Sequence, residues 1–312
     1  MIIRNATPED IPAIVVLLQL SLGENLIKKS ESTWNFKHVD NPFGVSHVLL
    51  AYDDGILVGV RAFMKWQWQF GINSWTAHRA VDTATHPDYQ GSGIFKKLTL
   101  QAVADIQREG DTFVFNTPNE NSRPGYLKMG WQIVDAIELS VIPVIFHFSS
   151  FFFTKPKLQN TISIEQLETL CSDYNSELSQ KKLLFTPKSP AYLKWRYEEN
   201  PLQNYVVFSS TDWYMVFYIK KHRFFNELRV VETISSNRRQ HLKQMQKSIL
   251  SYAFQNSCWV VTTSTKDLFR YKIYGKFGPK LTIKTLAKDF QFINTVHTMQ
   301  NWHYSLGDLE LF

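Results

Sequence analysis

The sequence predicts a mixed α/β fold: a mostly antiparallel sheet with helices on both faces, built twice in tandem. Three observations carry this. The first half alternates strand and helix patterns in the order βααβββαβαβ. Short phrases of that half return in the same order in the second half, as a duplicated domain would leave them. And 312 residues are more than a single core usually serves.

"IIRNA" opens as a strand. Thr7-Pro8-Glu9-Asp10 then marks a helix start: a threonine to cap it, proline at the first helical position, and acids beside the positive end of the dipole. "IPAIVVLLQLSL" supplies that helix with its apolar face. "SESTWNFKHVD" is a second, shorter helix, stopped at Asn41-Pro42 because proline disfavours helical backbone in the residue before it. "HVLLAYD", "ILVGVRAFMKWQWQF" and "WTAHRAVDTAT" are strands, separated by Asp53-Asp54-Gly55 and by the "GINS" turn. "HPDYQGSGIFKKL" crosses two glycines into a helix. "DTFVFNT" is a buried strand, "NENSRPGYLKMG" a short helix ended by glycine, and "WQIVDAIELSVI" one closing strand. The expected domains are residues 1–145 and a degenerate copy over 146–312.

The echoes are specific. "TWNFKHVDNP" (to Pro42) is answered by "KWRYEENP" (to Pro201), and "YLKMG" from Tyr126 by "YGKFG" from Tyr274. One difference stands out. Where the first half has Gln90-Gly91-Ser92-Gly93, the second has "SSNRRQ", without glycine.

Composition removes several classes. At 44% hydrophobic and 20% charged, the chain reads as a soluble globular protein. The net charge of +6 is spread out, with no basic run and no recognition motif, so nucleic acid is not an expected partner. Cys171 and Cys258 lie far apart without metal-ligand spacing, so no disulfide framework and no metal are expected. "MIIRNATPEDIPAI" lacks a signal pattern. "VIPVIFHFSSFFF" is too short and too interrupted to span a bilayer and reads as a buried strand plus connector. The expectation is a cytoplasmic protein with no membrane partner.

The glycine turn has two readings. One is a tight helix-capping turn. The other is an anion site, since a helix N-terminus carries unpaired N–H groups and about half a positive charge, and glycine lets a phosphate approach them. A P-loop is absent, and a Rossmann fingerprint would need glycine where Lys96 stands.

Two motifs in register favour the second, with the capping turn as the alternative. The turn has the form Gln/Arg-x-x-Gly-x-Gly/Ala, here Gln90-Gly91-Ser92-Gly93-Ile94-Phe95. After the next strand come Asn119, Ser122, Tyr126, Gly130 and Trp131. Together they resemble the GNAT superfamily of acyl-CoA-dependent N-acetyltransferases, in its tandem two-lobe type. The resemblance implies acetyl-CoA as co-substrate and no metal. It implies that backbone groups of Gln90, Gly91, Ser92, Gly93, Ile94 and Phe95 bind the CoA pyrophosphate. Ala84 and Thr85 would pair with the pantetheine arm between splayed strands, Asn119 and Ser122 would line it, and Tyr126 would stand beside the sulfur as general acid. Phe95 departs from the pattern, where the family has Gly or Ala. The acid role is chemically sensible: a phenol near pKa 10 donates to a thiolate of pKa about 8.5, uphill by only about 1.5 units. The alternative is a core tyrosine, since Tyr274 stands at the matching place in a half without the turn.

The acceptor implied is a primary amine on a small molecule. The wording "DTATHPDYQGSGIF" resembles GNAT members of surface-polysaccharide settings, which points to an amino sugar. A CoA-sensing or scaffold protein and a peptidoglycan-type aminoacyl transferase are the alternatives. For the base, Asp82 is the first candidate, because a carboxylate inside an apolar strand between Ala80 and Ala84 is costly unless used or paired. It could equally pair with Arg79 or cap a bulge. Glu138, His78, His86 and the terminal carboxylate of Phe312 are weaker candidates. Trp66, Trp68 and Trp75 either wall a substrate groove or pack as a hairpin. The second lobe is expected to shape the acceptor site.

Overall fold

The computed structural model describes residues 1–23, 29–145 and 162–309. In chain order the first elements are β1 (Ile2–Asn5), α1 (Ile11–Leu22), α2 (Glu31–His38), β2 (His47–Asp53), β3 (Ile56–Phe70), β4 (Asn73–Thr85), α3 (Ile94–Arg108), β5 (Phe113–Asn116), α4 (Arg123–Lys128) and β6 (Gln132–Ala136). The predicted order over this stretch is the observed one. Then follow β7 (Leu139–Pro143), α5 (Ile164–Gln180), β8 (Leu184–Phe185), α6 (Pro190–Leu193) with a π turn over Lys194–Glu198, β9 (Val206–Ser209), β10 (Trp213–Lys221), β11 (Asn226–Ser235), α7 (Arg238–Gln255), β12 (Cys258–Thr263), β13 (Ile273–Gly275), β14 (Lys280–Thr285), α8 (Phe290–His297) and α9 (Leu306–Leu309).

These elements form two compact units. One comprises Met1–Asp135 with Lys280–Asn301; the other comprises Ala136–Pro279 with the described residues from Trp302 on. The first sheet has the order β1-β2-β3-β4-β5-β14-β6, and the second the order β13-β7-β12-β11-β10-β9. β4 pairs with β5 and β11 with β12 in parallel, while β1–β2, β2–β3, β3–β4, β5–β14, β7–β12, β7–β13, β9–β10 and β10–β11 are antiparallel. The boundary therefore falls before Ala136 rather than after residue 145, and the first unit takes a strand from far downstream. "WQIVDAIELSVI" is two strands, not one. Its middle leaves the ladder: the Ile137 N–H goes to the Pro279 carbonyl at 2.9 Å, and the Glu138 N–H to the Tyr304 hydroxyl at 3.0 Å.

Each face of the first sheet is covered. On one side α3 and α4 bury Ile94, Leu98, Ala102, Tyr126 and Met129 against Leu49, Phe63 and Val114. On the other, α1 and α2 bury Ile14, Leu18 and Trp34 against Val48, Val60 and Ala62. Trp66 and Trp68 are 1% and 0% exposed and meet Phe115 edge-on, and Trp75 packs on Phe70 and Phe292. Trp66 and Trp68 are core residues, and Trp75 is half-buried between the rings of Phe70 and Phe292. In the second unit α7 buries Met245, Ile249 and Ala253 on Phe217, Val230 and Val261.

The Asn-Pro echoes have one structural cause. Asn41 and Asn200 are buried, and each side-chain oxygen accepts the N–H two residues on, from Phe43 at 3.0 Å and from Leu202 at 2.9 Å. The tyrosine echo fails: Tyr126 lies on helix α4, whereas Tyr274 lies on strand β13. Cys171 and Cys258 are buried and unbridged. Among the described residues no helix is long and apolar enough to cross a membrane. None of them form a cluster of three or more His, Cys, Asp or Glu suited to a metal ion.

Candidate active site

Strands β4 and β5 part early. Their parallel pairing covers Ala77↔Phe113, His78↔Val114 and Arg79↔Phe115. In the second unit, "VVETIS" stands where the first has "AVDTAT"; there β11 and β12 stay paired one residue further, to Val230↔Thr263. From Ala80 to Thr85, β4 is paired with β3 on one edge only. Ala84 and Thr85 lie on this stretch, opposite Val60 and Gly59. The Thr85 carbonyl already accepts the Ser21 hydroxyl at 3.0 Å.

The glycine turn follows directly. Gly91 and Gly93 have φ of 79° and 81°, in the left-handed region that side chains avoid. A Cβ at either would meet nothing within 4 Å, so the space above the turn is open. Gly93 caps α3 with no side-chain hydrogen bond to the helix, and the first intrahelical bond runs from the Lys97 N–H to the Gly93 carbonyl at 3.0 Å. The N–H groups of Ile94, Phe95 and Lys96 thus lack intrahelical partners. Gln90, Gly91 and Ser92 are exposed, and the Ser92 hydroxyl donates to the Tyr89 carbonyl.

Phe95 does not narrow the turn. Its ring points inward, meeting the Tyr126 ring edge-on at 5.7 Å. Tyr126 is 4% exposed. Its hydroxyl accepts a hydrogen bond from Arg61 Nη2 at 2.9 Å, which leaves its own proton to be donated elsewhere. Arg61 lies on β3, fully buried, with its guanidinium 4.7 Å from the Phe63 ring, 5.5 Å from Phe95 and 5.4 Å from Tyr126. Its Nε and Nη1 have no hydrogen-bond partner among the described residues. The negative faces of the rings supply part of what an anion would. Asn119 and Ser122 play a local part: Asn119 Oδ1 accepts the Ser122 N–H and the Ser122 hydroxyl, both at 2.9 Å, fixing the start of α4. They hold the helix that carries Tyr126.

Asp82 sits elsewhere. Arg61 pairs with Thr83 and Ala62 with Val81, so Asp82 is the extra residue of a β-bulge, with φ of 27°. The bulge switches the alternation. Ala80 packs on the α3 face and Ala84 on the α1 face, so they do not share a face as strict alternation predicts. The Asp82 carboxylate meets the Lys37 ammonium and, at 2.9 Å, His38 Nε2. Burial would raise this carboxyl, but Lys37 and His38 outweigh it and hold it well below the usual carboxylate range. Burial pushes the His38 imidazole down despite Asp82. A neutral His38 then donates from Nε2 to Asp82 and accepts the Ser46 hydroxyl at Nδ1, 2.8 Å away. Glu232, the matching residue of the second unit, is likewise buried and holds Lys188 at 2.7 Å. A carboxylate repeated where the glycine turn is missing is a tether between its strand and a lysine of a neighbouring segment. Held so far below neutrality, it is also a weak base.

Asp82→Asn tests the tether. It leaves the Lys37 ammonium without its anion and is expected to cost about 3 kcal/mol at pH 7 in urea unfolding. The folded-state carboxyl is depressed, so its stabilisation is present above the ordinary carboxylate range and lost as the pH falls. The gap between wild type and variant should narrow below about pH 4; a constant gap would sink the assignment.

The weaker candidates are engaged. Glu138 accepts from Lys266 at 2.7 Å and from the Tyr274 hydroxyl. His78 holds Asp111 at 2.6 Å in the core, and His86 Nδ1 accepts the Asp88 N–H in the turn before α3. The carboxylate of Phe312 lies outside the described residues. Arg61 went unnoticed in the sequence, although a lone cation inside "ILVGVRAFM" was its signal.

Residues 2–134 match the family described as an acetyltransferase (GNAT) domain. Among curated proteins none matches the chain by sequence. In fold, the chain is similar to a GCN5-related N-acetyltransferase from Anabaena variabilis, with 13% identity, a TM-score of 0.62, and coverage of 92% of this chain and 73% of that one. It is similar to another from Kribbella flavida, with 11% identity, a TM-score of 0.65, and coverage of 91% and 71%. Eis1 from Mycobacterium abscessus gives 11% identity, a TM-score of 0.57, and coverage of 92% and 74%.

Proposed function

Taking residues 2–134 as a GNAT acetyltransferase domain, we propose that the protein transfers an acetyl group from acetyl-CoA to a primary amine of a small molecule, with an amino sugar as the first acceptor to try. The observation that carries this reading is a continuous path. An open, uncapped glycine turn starts α3, the inward ring of Phe95 on α3 abuts Tyr126, and the unpaired edge of β4 runs up to the same turn.

The residues fit the co-substrate. The amides of Gly91 to Lys96 would hold the diphosphate, and the β4 edge from Ala80 would align the pantetheine arm. In the reaction the amine nitrogen attacks the thioester carbon, the C–S bond breaks, the departing sulfur takes the proton of the Tyr126 hydroxyl, and the proton shed by the nitrogen passes through water to restore the phenol. Arg61 touches no reacting atom. It is a positioning residue: it fixes the phenol oxygen and places a cation beside the charge left when the proton goes. Asp82 anchors α2, which lies on the face opposite α3, and serves as no base in this reading.

Calorimetry tests the first requirement. Acetyl-CoA should bind the purified chain, and Gly91→Asp should weaken binding by about tenfold or more. The carboxylate stands where the diphosphate would lie, in open space, and aspartate tolerates a left-handed backbone. Equal affinity in both proteins would place the co-substrate elsewhere.

A further inference from the structure

The second unit has a cavity of about 860 Å³ at the place where the first has its glycine turn. That volume lies within the range of small-molecule sites, about 300–1,000 Å³. Its lining includes Ser235, Asn237 and Arg239, at the junction of β11 and α7. Ser235 ends β11 as Thr85 ends β4. In the first unit, eight residues link that point to α3, room for a loop of bare amides. In the second, Ser236 and Asn237 alone intervene before α7. Side chains take the place of the glycine loop.

Three features point to a ligand. Ser235 is 3% exposed, and its hydroxyl has no hydrogen-bond partner among the described residues; buried hydroxyls are rarely left so. The helix that begins there is 18 residues long, so its N-terminus carries a full dipole. Arg239 brings a guanidinium to the same wall. The carboxylates on the wall do not cancel this. Glu177 is paired with Lys181, and Asp267 can accept from hydroxyls on a ligand.

We propose that this cavity binds the phosphoryl group of a phosphorylated small molecule, with the Ser235 hydroxyl, the Arg239 guanidinium and the backbone N–H groups of Arg238 and Arg239 as donors, the Gln240 N–H being held by the Asn237 side chain. Nothing in the acetyl-transfer reading is needed for this, and the two can fail separately.

Hydrogen exchange of the full chain, read by mass spectrometry, locates binding. Inorganic pyrophosphate, against sodium chloride of equal ionic strength, should slow exchange across residues 236–242. At ten times Kd the slowing should be about tenfold. Ser235→Ala and Arg239→Gln should each weaken the effect about tenfold while melting like wild type, since each removes a hydrogen bond to an anion. Parallel arms with a sugar phosphate and a nucleoside diphosphate tell which body carries the group, and protection by either supports the site. No slowing with any of the three, or slowing that survives both substitutions, overturns it. Protection of residues 90–97 by CoA is scored separately and reports on the first unit alone.

Discussion

Tyr126→Phe should lower kcat for acetyl transfer by about 10²–10³-fold while leaving acetyl-CoA affinity within about twofold. Phenylalanine keeps the packing against Phe95 and Trp131 and removes only the oxygen that accepts from Arg61. Arg61→Met should cost about tenfold in kcat, because it removes a charged donor without touching substrate, and Arg61→Lys should restore part of it. A structural role alone would not respond to the leaving group. As the acid, Tyr126 protonates the departing sulfur, so a thioester with a more acidic thiol should lose less kcat to the phenylalanine substitution. An unchanged kcat in that variant would return Tyr126 to the core and end the acid assignment.

Lys188→Met should be the most damaging substitution in the second unit, at about 3–5 kcal/mol. Lys188 Nζ lies 2.7 Å from Glu232 and 2.8 Å from Asp308, and all three side chains are 1–2% exposed. Tyr192 and Tyr197 donate to the same carboxylates at 2.8 and 3.0 Å. Burial would lower the Lys188 ammonium, but its two acids raise it well above its ordinary range. Burial and the nearby Asp308 charge raise Glu232. Methionine removes the cation that offsets the burial of Glu232, so that carboxyl is pushed further up. A carboxyl raised in the folded state binds protons more readily there than in the unfolded chain, so the variant should regain stability as the pH falls from 8 toward 5. The slope is opposite in origin to that of Asp82→Asn, whose missing carboxylate is depressed. Urea unfolding at both pH values checks it; a loss that stays the same at pH 5 would mean the cluster is held by packing alone.

How far the sequence led can be judged at particular residues. The first-half elements are written in local chemistry: Thr7-Pro8 before α1, Asn41-Pro42 after α2, and two glycines with positive φ before α3. The glycine turn and Tyr126 can be picked out as candidates because their motif spans neighbouring elements. What stayed hidden is non-local. The pattern of Gln132 to Pro143 says that its residues alternate faces, not that β6 and β7 join different sheets. Asp82 was read by strict alternation, and one bulged residue reverses which face the following side chains occupy. Tyr274 shows the opposite error: five similar letters gave a strand rather than a helix, because tertiary pairing with β7 decides that segment. Arg61 needed only the question of why a cation stands amid apolar residues.

The placement of β14 has a consequence for synthesis on the ribosome. Ile283 and its neighbours fill the slot between β5 and β6, yet they are translated after the whole of Ala136–Pro279. At about 5–20 residues per second, the nascent chain waits roughly ten to thirty seconds with the flank of β5 bare. That interval is when an unfinished protein is most open to chaperones, proteases and sticky encounters with other nascent chains.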